Sequence, residues 1–140
     1  MSGRKRHVLL DTLGLLLAVV VHAASVQDRD GARQVLGRIN KRFARLKLVW
    51  ADGGYAGALI QWAARHAKVN LEIVRRSEQN NGFQVLPHRW IVERTLGWLG
   101  RYRRLSKDYE CLPQSSENMI YWAMINLMVH RLKPEARSRK

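Results

Sequence analysis

The feature that most constrains this chain is the apolar run Leu13-Gly-Leu-Leu-Leu-Ala-Val-Val-Val21, preceded by a shorter apolar stretch, His7-Val-Leu-Leu10. Between them lies Asp11-Thr-Leu-Gly14, a turn sequence in which glycine accepts backbone angles that other residues resist. The pattern predicts strands over 7–10 and 15–24, paired as a hairpin. The second strand shows no polar alternation, so it should be buried on both faces. A strand buried on both faces needs a layer of structure above it and another below. The same segment imitates a signal peptide, because Arg4-Lys-Arg6 precedes it and Ala23-Ala-Ser25 follows. Asp11 stands inside the would-be apolar core, and the run is short and β-branched, which favours the hairpin over a leader or a membrane span.

Downstream, Asp28 and Asp30 precede an expected helix of about ten residues beginning near Gly31, acids suited to its positive end. A basic stretch follows: Arg33, Arg38, Lys41, Arg42, Arg45 and Lys47. Leu46–Ala51 reads as a third strand ending at Asp52-Gly-Gly-Tyr55. Residues 57–67 read as a helix, with Leu59, Ile60, Ala63 and Ala64 on helical spacing, and Asn70–Val74 as a fourth strand. Ser77–Pro87, broken at Asn80-Asn-Gly82, reads as a loop. Helical patterns then run from His88 to Leu105 and from Glu117 to Leu132. The last is apolar nearly all round and is expected to be mostly buried. The tail after Pro134 is polar. This order predicts a single α/β domain over 1–133 with a basic tail, 134–140. Its sheet should be mixed, with helices on its faces and parallel pairing among the later strands.

Charge narrows the function. Twenty-five Lys and Arg against eleven Asp and Glu give a net +14, which predicts attraction to a polyanion. An apolar share of 46% excludes a disordered basic tail as the whole explanation. No basic amphipathic helix dominates, so nucleic acid is favoured over a membrane surface. Cys111 is the sole cysteine, which rules out an intrachain disulfide and a thiolate metal site. The five histidines lack zinc-ligand spacing, and a reducing cytoplasm fits best.

A basic protein that cuts phosphodiesters commonly uses two divalent metals about 4 Å apart, held by carboxylates. Asp52 stands just past an apolar strand, where open α/β sheets place ligands, and Gly53-Gly54 leaves room for close approach. A plain Asp-Gly turn with Asp as cap explains the same residues equally well. Glu93 lies on a helix among Arg89, Arg94, Arg101, Arg103, Arg104 and Lys107. Taken alone it is more simply an ion-pair partner four residues from Arg89, although it could hold a metal while the arginines grip DNA. Asp28 and Asp30 could approach such a site, but helix capping is the preferred reading. Trp50, Trp62 and Trp122 read as core, and Trp90 and Trp98 as the tryptophans to consider for DNA, with packing still favoured there. Arg75 and Arg76 could touch phosphate or be solvated.

Three blocks together carry a resemblance: Lys5-Arg-His-Val-Leu-Leu-Asp-Thr-Leu-Gly-Leu15, Ala51-Asp-Gly-Gly-Tyr55, and Val92-Glu-Arg-Thr-Leu-Gly-Trp-Leu-Gly-Arg-Tyr-Arg-Arg-Leu-Ser-Lys-Asp-Tyr109. They resemble the DDE transposases of bacterial insertion sequences, across almost the whole chain. The resemblance implies an RNase H-like fold, an Asp-Asp-Glu triad, and Mg²⁺ (or Mn²⁺) used to excise and join transposon ends. It implies Asp52 as the second Asp and Glu93 as the Glu, and the basic residues around Glu93, namely Arg89, Arg94, Arg101, Arg103, Arg104 and Lys107, are the expected DNA contacts. Of the family's tyrosine–arginine–glutamate–lysine signature, Arg89 and Glu93 match, Leu86 replaces the tyrosine, and Gly100 stands for the lysine with Arg101 beside it. The family's first Asp belongs to a strand upstream of the hairpin. The expectation is therefore a partial domain lacking its first strand and inactive alone, from a two-frame element or a truncated copy. Its expected partners are DNA, an upstream transposase segment and further copies of itself in a synaptic complex, with no membrane. The competing readings are a non-catalytic DNA-binding fragment that pairs with or inhibits a full transposase, and a secreted basic protein.

Overall fold

In the computed structural model of the chain, which describes residues 3–40, 42–74, 89–105 and 111–132 without the Arg104 side chain, the hairpin forms as expected. β1 (Arg4–Leu10) pairs antiparallel with β2 (Leu16–Ala23), Arg4 opposite Ala23 and Val8 opposite Val19, with an irregularity between Leu9 and Leu10. Asp11 makes the turn. Its Oδ1 accepts from the backbone N–H groups of Leu13 and Leu15, both at 2.9 Å, and Gly14 closes the turn at φ +82°. That φ lies in the left-handed region, which a side chain resists.

β2 is buried on both faces. Ala18 and Val20 lie in one cluster with Val35, Leu36 and Ile39, and Val19 and Val21 lie in another with Leu99, Leu105, Ile120 and Ala123. The first cluster is roofed by α1 (Asp28–Ile39) and the second by α4 (Pro113–Leu132). Each fully buried valine contributes roughly 1.5–3 kcal/mol, so the uninterrupted apolar strand is what joins the two layers.

α1 begins at Asp28, three residues before the expected start, and places Asp28 and Asp30 inside its first turn. Gly31 misleads because glycine usually marks a boundary. Here it lies within the helix, over the stacked rings of His7 and His22, whose centroids are 4.5 Å apart. A Cβ at Gly31 would stand 2.5 Å from His7 Nε2 and as tightly against His22 Nε2, so close packing selects the glycine.

β3 (Leu48–Ala51) and β4 (Asn70–Ile73) pair in parallel, Leu48 opposite Asn70 and Ala51 opposite Ile73, as the helical crossover requires. That crossover contains α2 (Ala58–Trp62), which continues as a π-helical turn, Ala63–Ala67, and ends at Lys68 in the left-handed region. The sequence predicts one mixed sheet. Instead the described strands form two separate two-stranded sheets, β1–β2 and β3–β4.

α3 spans Arg89–Gly100, followed by a single 3-10 turn at Arg103–Leu105, so the expected helix to Leu105 ends early. α4 begins at Pro113 rather than Glu117, with proline in the first position, where its missing N–H is harmless. α4 departs most from expectation. Ser116, Glu117, Ile120, Ala123 and Met124 are buried, Ile120 and Ala123 in one cluster with Val19 and Val21 of β2, yet Trp122, Ile125, Met128, Val129 and Leu132 on other faces are exposed. Trp50 and Trp122, expected in the core, are exposed too, and Trp62 alone of the three packs on the core. No helix among the described residues is long and apolar enough to cross a membrane. The loop expected over Ser77–Pro87, with Arg75, Arg76 and Leu86, lies outside the described residues. So do Lys41, His88, Lys107 and the tail from Pro134.

The His7–His22 stack predicts a pH response. Burial lowers the pKa of His7, and the neighbouring His22 and Lys5 add to the effect against the opposing pull of Asp28. The folded chain therefore binds fewer protons than the unfolded one below the ordinary histidine value near 6.5. This contribution to stability is complete above about pH 6.5 and is lost as pH falls from there toward the lowered folded value. The urea midpoint should drop between about pH 7.5 and pH 5.5, and His7→Asn should flatten that drop. An equal drop in the variant would place the titration elsewhere.

Candidate functional site

The two sheets are not hydrogen-bonded to each other. A cavity of about 390 Å³ is lined by residues of both, from β1, from β3 and from β4 with the residue after it (Leu71 and Val74). His7, Val8 and Leu9 line it from β1, and Val49, Trp50, Ala51 and Asp52 from the end of β3. Ala32, Val35 and Leu36 of α1 line another side, and Arg89, Val92, Glu93 and Leu96 of α3 a further one. Most of its lining is apolar, and the charged groups on it are Arg6, Asp52, Arg89 and Glu93. These two acids, separated by 41 positions in sequence, thus face the same space.

Asp52 follows β3 and caps the 3-10 turn Gly53–Tyr55, its Oδ1 accepting from Gly54 N at 2.9 Å. The capping reading of this residue is realised, and the side chain lines the cavity as well. Gly53 faces open space, whereas a Cβ on Gly54 would stand 3.1 Å from Asp52 Oδ1 and 3.7 Å from Asp28 Oδ2. Asp28 is therefore a near neighbour of Asp52. The Lys5 ammonium, 3.0 Å away, holds the Asp28 carboxyl below the usual carboxylate range. Tyr55 sits beside them, its phenol pKa pushed up to about 12 by burial first and by Asp28 and Asp52 second. Its hydroxyl meets His7 Nδ1 at 2.9 Å.

Glu93 projects from α3, and its Oε1 lies 3.3 Å from Arg89 Nε, with both side chains 66% exposed. An exposed pair four residues apart is worth only about 0.3–0.5 kcal/mol, so Arg89 restrains Glu93 without occupying it. What fixes the helix is the face bearing Ile91, Thr95 and Leu99, which is buried. Thr95 Oγ1 donates to Gly14 O at 2.7 Å, and Arg94 donates to Leu13 O at 2.9 Å. A Cβ on Gly14 would stand 2.7 Å from Thr95 Oγ1, so the hairpin turn and the helix need each other's small contours. No sequence signal links residues 81 positions apart, and sequence reasoning misses this anchor.

Of the expected DNA-binding residues, Arg89, Arg101 and Arg103 are exposed. Arg94 is half-buried, its guanidinium 4.7 Å from the Trp90 ring centroid and 4.6 Å from that of Trp98. The Arg104 side chain and Lys107 lie outside the described residues. Among those described, no three His, Cys, Asp or Glu side chains stand close enough together to hold one metal ion. The donors facing the cavity, two carboxylates, are nevertheless the hard-oxygen type that Mg²⁺ or Mn²⁺ prefers.

The sequence profile of a family described as the transposase DDE domain matches residues 1–128. A Burkholderia cepacia protein named as a transposase for insertion sequence element IS402 is 32% identical over 116 residues, which cover 77% of this chain and 54% of that protein. The chain thus spans about half the length of this curated relative. No solved structure matches it.

Proposed function

Because this chain belongs to the transposase DDE domain family, we propose that it forms the downstream part of an RNase H-like catalytic domain acting in DNA transposition. The observation that carries the proposal is that Asp52 and Glu93, the two acids the resemblance assigns to the triad, line one cavity. In this reading residues 1–133 belong to the catalytic domain and 134–140 form a basic tail. The cavity between β1 and β3 is the place of one further strand. Such a strand would pair with both open edges, merge the two sheets into one mixed sheet, and bring the first Asp beside Asp52. In this reading an upstream transposase segment supplies it.

Asp52 and Glu93 would hold Mg²⁺ or Mn²⁺. The chemistry such a metal would supply there is activation of the attacking oxygen and stabilisation of the leaving oxygen of a phosphodiester. The protein's own part is positioning. The cap at Gly54 fixes Asp52, the Thr95–Gly14 hydrogen bond fixes the helix bearing Glu93, and exposed arginines hold the phosphate backbone. We assign the phosphate contacts to Arg89, Arg94, Arg101, Arg103, Arg104 and Lys107, with Arg94 also serving the hairpin turn. Transposon ends and target DNA are the substrates, several copies act together in a synaptic complex, and the reaction takes place in the cytoplasm.

A second reading, a DNA-binding fragment that does not cut, draws on the fact that both acids already have partners within the chain. Metal-dependent cleavage separates the two. Both readings require DNA binding, which salt tests directly. Affinity for duplex DNA should fall steeply with salt. Replacing Arg101, Arg103, Arg104 and Lys107 by Ala should flatten the log–log slope by about 0.9 for each phosphate that is no longer neutralised. An unchanged slope would mean that this charge is solvated surface.

A further inference from the structure

α4 carries two apolar faces, and the chain uses one of them. Opposite the residues that pack on β2, the helix leaves Trp122 67%, Ile125 50%, Val129 45% and Leu132 82% exposed, with Met128 beside them at 40%. Trp122, Ile125, Val129 and Leu132 follow one another at spacings of three, four and three, the repeat that lines one seam of a helix for packing against another. A helix apolar on both sides is ordinarily covered on both sides, and a contiguous stripe of large side chains on a soluble protein marks a contact surface.

Charge identifies the occupant. The chain carries 25 Lys and Arg and a net +14, yet from Leu112 to His130 there is neither a Lys nor an Arg. The one acid in that stretch, Glu117, is buried on the opposite side and paired with Arg38. A strongly cationic molecule repels its own copies over most of its surface, and here one helical face is free of that repulsion. The same face offers DNA phosphates nothing to bind. We propose that the outer face of α4 is an interface between two copies of this chain, joined about a two-fold axis so that the same stripe serves both sides. Such an interface would stand whether or not Asp52 and Glu93 act in transposition.

Salt distinguishes this contact from binding through charge. Screening like charges strengthens an apolar self-contact, whereas it weakens attraction to DNA. In sedimentation equilibrium of the 140-residue chain without DNA, the average mass should rise with concentration toward twice 16.2 kDa. The dimer should tighten as salt is raised to about 0.5 M. Trp122→Glu with Val129→Glu should weaken it by about tenfold or more, with the far-UV circular dichroism unchanged. Should that variant fail to fold, Ile125→Cys in a Cys111→Ser background decides. Bismaleimide should cross-link it into dimers in higher yield than a control with Ala58→Cys, an exposed position at the start of α2, in the same background. A chain that stays monomeric overturns the proposal. So does self-association that weakens with salt, survives the double substitution, or gives no excess cross-linking at position 125.

Discussion

Asp52→Ala or Glu93→Ala is expected to reduce Mg²⁺-dependent cleavage of transposon-end DNA by at least about a thousandfold in the assembled enzyme, leaving DNA affinity nearly unchanged. Both acids face one cavity, which Arg89 shares, while exposed Arg101 and Arg103 lie beyond α3, so chemistry and most of the grip should separate under mutation. The assay compares cleavage and binding for each variant with the upstream segment supplied by fusion or in trans. Loss of binding in step with loss of cleavage would mean that the acids support the fold and not the reaction.

The same experiment run without the upstream segment is the sharper half. Two carboxylates bind a divalent ion weakly, and the described residues bring no third donor within reach of both. The 140-residue chain alone should therefore cut at background level. Adding a segment that supplies a strand bearing an Asp should restore cleavage and protect the β1 and β3 backbone amides from hydrogen exchange, since both edges would gain partners. Robust cleavage by the chain alone would show that a third acid is already present. Asp28, which stands across Gly54 from Asp52, would then be the first to replace.

The elements legible in the sequence are those whose signals are local. The hairpin, the burial of β2 on both faces and the parallel pairing of β3 with β4 follow from an apolar run, a turn and a helical crossover. Asp52 and Glu93 stand out because few acids exist in the chain and both sit in recognisable blocks. What is not legible depends on tertiary contact. Gly31 looks like a boundary although it is a packing glycine, because nothing local shows the histidine pair beneath it. α4 looks buried because pattern alone cannot say whether a second apolar face meets this chain or another surface. Trp50 resembles a core residue from its strand, yet its side of β3 is exposed and its indole donates to Glu72 Oε2 at 3.1 Å. Long-range anchors such as Thr95 on Gly14 leave no mark in a single sequence.

Glu117→Ala should be the most damaging single substitution among the ion-paired residues, lowering stability by about 2–4 kcal/mol. Glu117 is buried on α4, its side chain only 10% exposed, and both its oxygens are used. Oε1 accepts from the backbone N–H of Val21 at 2.9 Å, and Oε2 accepts from Arg38 at 2.8 Å. Arg38 also donates to Val19 O at 2.7 Å, and the hydrogen bond to Glu117, more than any other influence, raises its already high pKa. One carboxylate thus ties α4 to β2 and to α1, across the strand that both layers share. Removing it strands the Val21 amide in the core, which costs about 1–3 kcal/mol. It also leaves Arg38 unpaired, but Arg38 is 44% exposed and can turn to water, so the full penalty for a buried unpaired charge does not apply. Glu117→Gln keeps an oxygen for Val21 and should lose clearly less. Chemical denaturation of both variants would measure the difference. Equal losses would mean that the Arg38 charge pair, and not the β2 amide, carries the contribution.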